Sequence, residues 1–282
     1  MQIFDCGRYS FKLGGGRRPL VMGILNITPD SFSDGGRYSR LDAALSHAET
    51  MMSEGVDIID IGGESSRPGA PALSLQEEMD RVMPVIFALR DCGKAISLDT
   101  YKPELMREAI QAGVDMINDI RGFASEQAIA AVAGKEIAVC AMHMQGQPQT
   151  MQDQPEYDDV YAEVKAFLQQ RLSALQDAGL DKRQICLDPG FGFGKSQIHN
   201  EALFRSINRL QQELTLPVLV GVSRKSMLGN IVGRPANQRL AASLAAAMLA
   251  AQQGASLIRV HDVAETMDAL KILQQLSDSP RA

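Results

Sequence analysis

Polar residues with complementary chemistry recur along this 282-residue chain, each at or just past the end of a short apolar run. Asp99, Asn118 and Asp188 carry acceptor oxygens, which suit a ligand edge that presents several N–H donors. Lys225 and Arg259 carry cations, which suit a diphosphate because charged donors bind phosphate oxygens strongly. Together these residue types predict a site for a small ligand that is rich in nitrogen at one end and anionic at the other.

Two more residues extend the anion chemistry. His261 can become cationic and lies two residues after Arg259. Asn26 offers an amide oxygen, a hard ligand that Mg²⁺ accepts alongside phosphate oxygens and water. The residue type at position 26 is therefore compatible with a Mg²⁺ ion that also binds phosphate.

Several other chemistries lack their motifs. The sequence contains neither an H-E-x-x-H pattern nor a Cys/His cluster for zinc, and no G-x-S-x-G elbow for a nucleophilic serine. The turn from Gly190 to Ser196 imitates a phosphate-binding P-loop, but Pro189 stands where the first glycine is required.

The elements that position these residues alternate along the chain after a short N-terminal lead. Short β-branched or aliphatic runs predict buried parallel strands, and segments with apolar residues three and four apart predict helices. Ser74 with Glu77 predicts a capping box, and Pro103 suits the first turn of a helix. The predicted strands are Leu20 to Leu25, Asp57 to Ile61, Ala95 to Leu98, Asp115 to Ile117, Ile137 to Ala141, Gln184 to Leu187, Val218 to Val222 and Leu257 to Val260.

One unit repeats. Gly55, Gly113 and Gly254 each follow a helical segment and precede a strand, where a left-handed backbone favours glycine. About eight such units in this length predict a single domain, residues 1–282, folded as a (β/α)₈ TIM barrel. The rival, an open doubly wound sheet, usually brings a G-x-G-x-x-G turn after its first strand, and none is present.

In such a barrel the active site lies at the C-terminal ends of the strands. Every predicted strand meets polar residues there, which is difficult to explain by chance and argues for an enzyme site. In chain order these residues are Asn26, then Gly62 to Pro68, Asp99, Asn118 with Asp119, His143, Asp188 to Lys195, Ser223 to Ser226, and Arg259 with His261 and Asp262.

Composition limits the candidate partners and the cellular compartment. The net charge is −6 and the sequence has no basic tract, so nucleic acid and anionic membranes are poor candidate partners. The longest apolar stretch, Leu240 to Ala251, is too short to span a bilayer, and the N-terminus lacks a secretory signal. Four cysteines form no C-x-x-C pair, so we expect a reduced, cytoplasmic protein.

Longer motifs resemble those of dihydropteroate synthases. The most specific are Met22 to Gly36 and Asp188 to Lys195, and the run Gly62-Gly-Glu-Ser-Ser-Arg-Pro-Gly69 after the second strand forms another. Shorter matches are Ser97 to Thr100, Asn118 to Arg121, Met142 to Met144, Ser223 to Ser226 and Arg259 to Asp262. The resemblance covers nearly the whole chain, with the motifs in the family's order.

The resemblance implies an activity. Enzymes of this family join p-aminobenzoate to a dihydropterin that is carried as its hydroxymethyl diphosphate, and they release dihydropteroate and diphosphate. By resemblance, the pterin is held by Asp99, Asn118, Asp188 and Lys225, with Met142 in reach, and the diphosphate and Mg²⁺ by Asn26, Arg259 and His261. The p-aminobenzoate pocket is framed by Phe32, Ser66, Arg67, Pro68, Phe193 and Ser226, with Asp34 on a closing loop.

Catalysis is expected to rest on Asp99, Asp188, Lys225 and Arg259, and sulfonamides are expected to inhibit. The family's habit predicts a homodimer. Two alternatives stay open: a pterin-dependent methyltransferase, and a non-catalytic paralogue that only binds pterin. The roles of Glu64, His143 and Lys195 also stay open, between ligand contact and bracing of the loops.

Overall fold

An antiparallel hairpin begins the chain in the computed structural model, which describes residues 2–27, 37–65, 69–147 and 150–277. Its strands are β1 (Gln2–Cys6) and β2 (Tyr9–Leu13). Phe4 and Leu13 pack in one apolar cluster with residues from the starts of the parallel strands, so the hairpin closes the N-terminal end of the barrel. This hairpin was not predicted, because two five-residue strands carry little periodic signal by themselves.

The remaining elements alternate as the repeated unit predicts. The strands are β3 (Leu20–Asn26), β4 (Ile58–Gly62), β5 (Ala95–Asp99), β6 (Met116–Asp119), β7 (Ala138–Met142), β8 (Ile185–Asp188), β9 (Leu219–Val220) and β10 (Leu257–Val260). The helices are α1 (Arg37–Ser53), α2 (Leu75–Leu89), α3 (Pro103–Ala112), α4 (Glu126–Val132), α5 (Val160–Asp177), α6 (Gln197–Arg205), α7 (Ile207–Leu214), α8 (Ser226–Val232), α9 (Leu240–Gln252) and α10 (Val263–Ser277).

The parallel strands form a barrel. They pair in the order β8-β7-β6-β5-β4-β3-β10-β9. An isolated parallel bridge between Leu187 and Val218 joins the two ends of that order, and the Leu187 N–H donates to the Pro217 carbonyl at 3.0 Å. The predicted TIM barrel is therefore confirmed, and the open doubly wound sheet is excluded.

Most strand ends differ from the predicted ones by one or two residues, as in the seventh and sixth barrel strands. The seventh barrel strand was predicted from Val218 to Val222 but has ladder pairing only over β9. Val218 makes the closing bridge to Leu187, and its carbonyl accepts from the Ser256 and Leu257 N–H groups. Gln184 belongs to a short 3₁₀ turn rather than to β8, since its amide and the Asp181 carboxylate form a capping box.

Local helix signals are confirmed. Ser74 and Glu77 form the predicted capping box at the start of α2, and Pro103 is the first residue of α3. Gly113 ends α3 with φ 102°, a conformation that favours glycine because it has no Cβ. Among the described residues, no helix combines the length and apolarity that crossing a membrane requires.

Side chains alternate between two layers along each strand, as the period of two requires. Residues such as Val21, Ile59 and Leu98 point outward and pack under the helices in the main core. Residues such as Met22 and Cys186 point inward and form the cluster that the hairpin covers. The same inward positions continue upward toward the C-terminal ends of the strands, and there the residue types change from apolar to polar.

Candidate active site

Inward positions near the C-terminal ends of the strands hold six of the predicted site residues, namely Asn26, Asp99, Asn118, Met142, Asp188 and Arg259. Asn26 pairs in register with Gly62, and Gly62 pairs with Asp99, which in turn pairs with Asn118. Parallel pairing without a shift thus places the ends of β3 to β6 at one level. Among the described residues, the strand ends therefore supply this part of the site.

Arg259, on β10, reaches across the barrel to carboxylates on β4 and β5. Its Nε donates to Oδ2 of Asp60 at 2.7 Å, and its Nη2 donates to Oδ2 of Asp99 at 2.9 Å. Asn118 Nδ2 donates to the same Asp60 oxygen at 3.3 Å. A guanidinium has five N–H donors, so Arg259 retains donors for an anion while both carboxylates hold it in place.

The loop after β8 supplies a second cluster. The Asp188 carboxylate accepts from the Gly190 N–H at 2.7 Å, which fixes its orientation at the strand end. Lys225 reaches this loop from β9: its Nζ donates to the Phe191 carbonyl at 2.5 Å and lies 4.7 Å from the centre of the Phe193 ring. The structure therefore brings Lys225, Asp188 and Phe193 together.

A left-handed residue directs Lys225 toward the site. Arg224 has φ 59°, which is costly for a residue with a Cβ, and its surroundings hold it there. Its N–H donates to the Ser243 hydroxyl at 3.0 Å, its carbonyl accepts from Arg239, and its guanidinium pairs with Asp262. The turn reverses the chain direction just before Lys225.

An apolar wall lies beside the charged groups. Met142 and Phe193 are buried with Ile120 and Met151, and the partly buried Tyr101 and Met144 pack against them. Met142 pairs in register with Asp188, so the wall begins at the level of the carboxylates. A flat aromatic ligand that enters between them would meet polar groups at its edge and apolar groups on its face.

His261 and Asn26 lie at the same end of the barrel. The His261 ring Nδ1 lies 3.0 Å from the Ser223 hydroxyl, and that hydroxyl accepts from the His261 backbone N–H at 3.3 Å. The Asn26 side chain extends over Gly62, where a Cβ would come within 3.3 Å of Asn26 Oδ1. Glycine at position 62 thus keeps the space in front of the Asn26 amide open.

Burial sets the pKa values of the charged groups. It raises the pKa of Asp99 to about 7, although the Arg259 charge acts in the opposite direction. It lowers the pKa of Lys225 to about 8, against the attraction of Asp188, and it raises the pKa of Asp188. Burial also disfavours the charge of Arg259, but Asp60 and Asp99 outweigh it, so the pKa of Arg259 is raised and the group stays cationic.

Other predicted residues fall elsewhere. Ser226 is exposed as the first residue of α8, next to Lys225. Four residues of the predicted p-aminobenzoate frame lie outside the described part of the chain, namely Phe32, Ser66, Arg67 and Pro68, and so does Asp34 of the predicted closing loop.

The contacts of Glu64 and His143 bear on whether these residues touch a ligand or brace the loops. Glu64 accepts from the Tyr101 hydroxyl at 2.8 Å, from Lys102 Nζ at 2.6 Å and from the Leu73 N–H at 3.2 Å, so it braces the loop after β4. His143 is buried and packs edge-on against Phe167, with ring centres 5.0 Å apart. Neither side chain is among the groups that converge with Arg259.

Asp60 was not among the predicted site residues. It is fully buried in the middle of β4, between Ile59 and Ile61, and it binds Arg259 and Asn118. A signal was present, because a carboxylate within an apolar run must find a partner when it is buried. Position 60 is also two residues before Gly62, on the same inward face of the strand.

The fold and this set of residues define a TIM-barrel enzyme whose site, at the C-terminal ends of the strands, accommodates a small polar ligand. Residues 22–261 match the family model described as pterin binding enzyme. Over 264 residues the chain is 49% identical to the dihydropteroate synthase of Haemophilus influenzae, covering 93% of this chain and 95% of that protein.

Solved structures agree. The Xanthomonas albilineans dihydropteroate synthase with 4-aminobenzoic acid superposes with a TM-score of 0.91 at 48% identity, covering 99% of each chain. The Burkholderia cenocepacia dihydropteroate synthase complexed with 7,8-dihydropteroate gives a TM-score of 0.87 at 46% identity, covering 98% of this chain and 96% of that one. The chain belongs to the dihydropteroate synthase family.

Proposed function

We propose that this protein condenses (7,8-dihydropterin-6-yl)methyl diphosphate with p-aminobenzoate to give 7,8-dihydropteroate and diphosphate, a step of folate biosynthesis. The observation that carries the proposal is the convergence of Arg259 with Asp60 and Asp99 opposite the cluster of Asp188 and Lys225. Carboxylates suit the N–H edge of a pterin, and cations suit its diphosphate. The relatives whose names include 4-aminobenzoic acid and 7,8-dihydropteroate support the same pair of ligands.

The pterin is assigned to the inward carboxylates. Asp99, Asn118 and Asp188 accept hydrogen bonds from its ring nitrogens, and Lys225 donates to its carbonyl edge. Met142 supports the face of the ring from the apolar wall. The buried setting supports this assignment, because a hydrogen bond to a charged group is stronger where water is excluded.

The diphosphate is assigned to the opposite side. Arg259 has free donors after binding its two carboxylates, and His261 lies two residues further on. The space over Gly62 leaves the Asn26 amide oxygen open to a hard cation, and one protein oxygen with phosphate oxygens and water is an ordinary Mg²⁺ environment. Bound Mg²⁺ would neutralise negative charge on the diphosphate.

The chemistry then needs little proton transfer. The bond between the exocyclic methylene carbon and the diphosphate oxygen breaks, and Arg259 and His261 stabilise the charge that grows on the departing oxygen. Asp99 and Asp188 stabilise the positive charge left on the pterin. The arylamine nitrogen forms the new bond to carbon and releases one proton to solvent, so its main requirement is positioning.

The arylamine is assigned to the outer part of the site. Phe193 and Ser226 would frame it with Phe32, Ser66, Arg67 and Pro68, and Asp34 would help to close it. Support comes from Phe193, which lies between the Lys225 ammonium and the apolar wall. In this assignment the amine lies next to the exocyclic carbon of a pterin that is bound below.

A homodimer in the cytoplasm completes the proposal. Ile231, Leu240 and Leu249 on α8 and α9 expose 60%, 38% and 52% of their surface, and the alanines at positions 246, 247 and 250 pack inward. An apolar surface of this kind suits a second copy of the chain. All four cysteines are unpaired, as a reducing compartment favours.

Diphosphate release tests the function. Purified protein receives the pterin diphosphate and Mg²⁺, with and without p-aminobenzoate, and a parallel sample contains a chelator. Release that requires both p-aminobenzoate and Mg²⁺ and yields dihydropteroate supports the proposal. Pterin binding without release would indicate a non-catalytic paralogue, and methyl transfer to a corrinoid without release would indicate a methyltransferase.

A further inference from the structure

Lys195 ends the glycine-rich loop after β8, and its ammonium is buried rather than directed toward a ligand. Only 2% of the residue is exposed. Nζ donates to the Gly190 carbonyl at 2.9 Å and to the Phe193 carbonyl at 3.0 Å, and it lies 2.9 Å from Nδ1 of His143. An ammonium has three N–H donors and no acceptor, so these three partners use its whole capacity.

The contact also assigns a tautomer to His143. Because the ammonium can only donate, Nδ1 must accept, and the ring proton of neutral His143 is on Nε2. Burial lowers the pKa of His143 to about 3, with the Lys195 charge acting in the same direction, so the imidazole stays neutral. Burial also lowers the pKa of Lys195 to about 7, with the Asp188 carboxylate acting in the opposite direction and the Lys225 charge in the same one.

The loop that Lys195 holds is pressed closely against the end of β7. A Cβ on Gly190 would lie 1.8 Å from the His143 carbonyl oxygen, and one on Gly194 would lie 2.3 Å from the Gln145 carbonyl oxygen. Both glycines have positive φ, 70° and 61°. Loop and strand end are therefore in backbone contact. Lys195 supplies donors to two carbonyls within it, of which the Gly190 carbonyl also accepts from the Phe193 N–H at 3.2 Å.

This loop presents two groups to the proposed site. The Phe191 carbonyl accepts from Lys225, and the Phe193 ring lies against the same ammonium. We propose that Lys195 is a positioning residue: by binding the Gly190 and Phe193 carbonyls it fixes the loop that places the Phe193 ring beside the arylamine. The inference rests on the proposed function and extends it to a residue that contacts neither substrate.

Substitution of Lys195 tests the positioning role, because it should affect the KM values of the two substrates to different extents. Lys195→Met keeps the length of the side chain and removes every donor. We expect the KM for p-aminobenzoate to rise by at least ~10-fold, because a displaced Phe193 mispositions the nucleophile. The KM for the pterin diphosphate should rise less than that for p-aminobenzoate, because Asp99 and Asn118 lie on β5 and β6 away from this loop, whereas only Asp188 and Lys225 contact it. Lys195→Gln retains two N–H donors and should give an intermediate KM for p-aminobenzoate.

Two controls accompany these variants. Lys165→Met makes the same chemical change at a surface ion pair with Glu213 and should leave both KM values unchanged. His143→Phe removes one acceptor but leaves both loop carbonyls bound, so it should raise the KM for p-aminobenzoate less than about 3-fold. An equal rise in both KM values for Lys195→Met, or a larger effect for His143→Phe, would overturn the positioning role.

Wild-type protein provides a test that does not depend on how the variants fold. In a crystal structure with pterin and p-aminobenzoate bound, Lys195 should keep its three partners, and a ligand atom within hydrogen-bonding distance of Nζ would refute the proposal. Wild-type turnover is measured first. An inactive wild type overturns the proposed function, whereas an active wild type with an unaltered Lys195→Met variant overturns only this inference.

Discussion

Arg259 Nε lies 2.7 Å from Oδ2 of Asp60, and this ion pair connects β10 to β4 inside the barrel. Asp60 is fully buried, and its carboxylate also accepts from Asn118. One carboxylate thus orients both a proposed diphosphate ligand and a proposed pterin ligand. A buried charge pair of this kind adds little net stability, but loss of one partner leaves the other charge uncompensated.

Asp60→Asn should therefore impair catalysis more than a stability change explains. We expect kcat/KM to fall by about 10- to 100-fold, because Arg259 is no longer held in place. The free energy of unfolding should fall by about 1–3 kcal/mol, since the amide still accepts one hydrogen bond. Steady-state kinetics and urea unfolding measure the two effects.

A matched substitution lies on the same side of the barrel, at its opposite end. Asp57 pairs with Arg18 at 2.6 Å near the N-terminal ends of the strands. Asp57→Asn should lower stability without changing kcat/KM, because residues at that end serve stability. Equal kinetic losses in the two variants would show that Asp60 acts only through general stability.

The pH dependence should follow two groups of the free enzyme. Asp99, with a pKa of about 7, accepts pterin N–H bonds when it is ionised, so kcat/KM for the pterin diphosphate should rise as pH increases through about 7. Lys225, with a pKa of about 8, donates as an ammonium, so kcat/KM should fall above about 8. A pH profile measured from about 5.5 to about 10 at constant ionic strength, with ~0.5 pH unit spacing, tests both limbs.

Lys225→Arg identifies the alkaline limb. A guanidinium stays charged throughout this range, so the limb near pH 8 should disappear even if the maximal rate is lower. A limb that persists unchanged in this variant would assign it to another group or to the substrate.

Gly190 should tolerate no side chain. Its φ of 70° and the 1.8 Å approach of a Cβ to the His143 carbonyl require the loop to move in Gly190→Ala. Because the loop carries Phe191 and Phe193, we expect kcat/KM to fall by ~100-fold or more. Gly179→Ala is the control: its φ is also positive, 92°, but its Cβ would meet nothing within 4 Å, so it should cost about 1–2 kcal/mol of stability and no activity.

Sulfonamides should compete with p-aminobenzoate. They carry the same aryl amine with an anionic or polar group opposite, so they fit the same outer pocket. Initial rates at several sulfonamide concentrations should show a rising apparent KM for p-aminobenzoate and an unchanged kcat. A fall in kcat that excess p-aminobenzoate does not reverse would place the inhibitor elsewhere.

Much of the site could be predicted from the sequence, because in a barrel each site residue lies at the end of a strand that can be predicted from its own short segment. Once the eight barrel strands are predicted, the C-terminal residue of each strand must lie at the same end of the barrel. Asp99, Asn118, Asp188 and Arg259 do converge there. The period of two within a strand also determined which residues face inward. Helix starts depend on residues that are close in sequence, so single positions such as Ser74 and Pro103 were enough to predict them.

Contacts between distant elements could not be read in this way. Asp60 and Arg259 are separated by 199 residues in sequence, and Lys195 and His143 by 52. Both pairs come into contact only when the barrel closes. The hairpin of β1 and β2 acquires its role only when its apolar residues meet the starts of the strands. The sequence by itself determined the barrel, its polar rim and the family. Only the tertiary structure decided which buried charges pair, because residues that meet across a barrel show no regular spacing in the sequence.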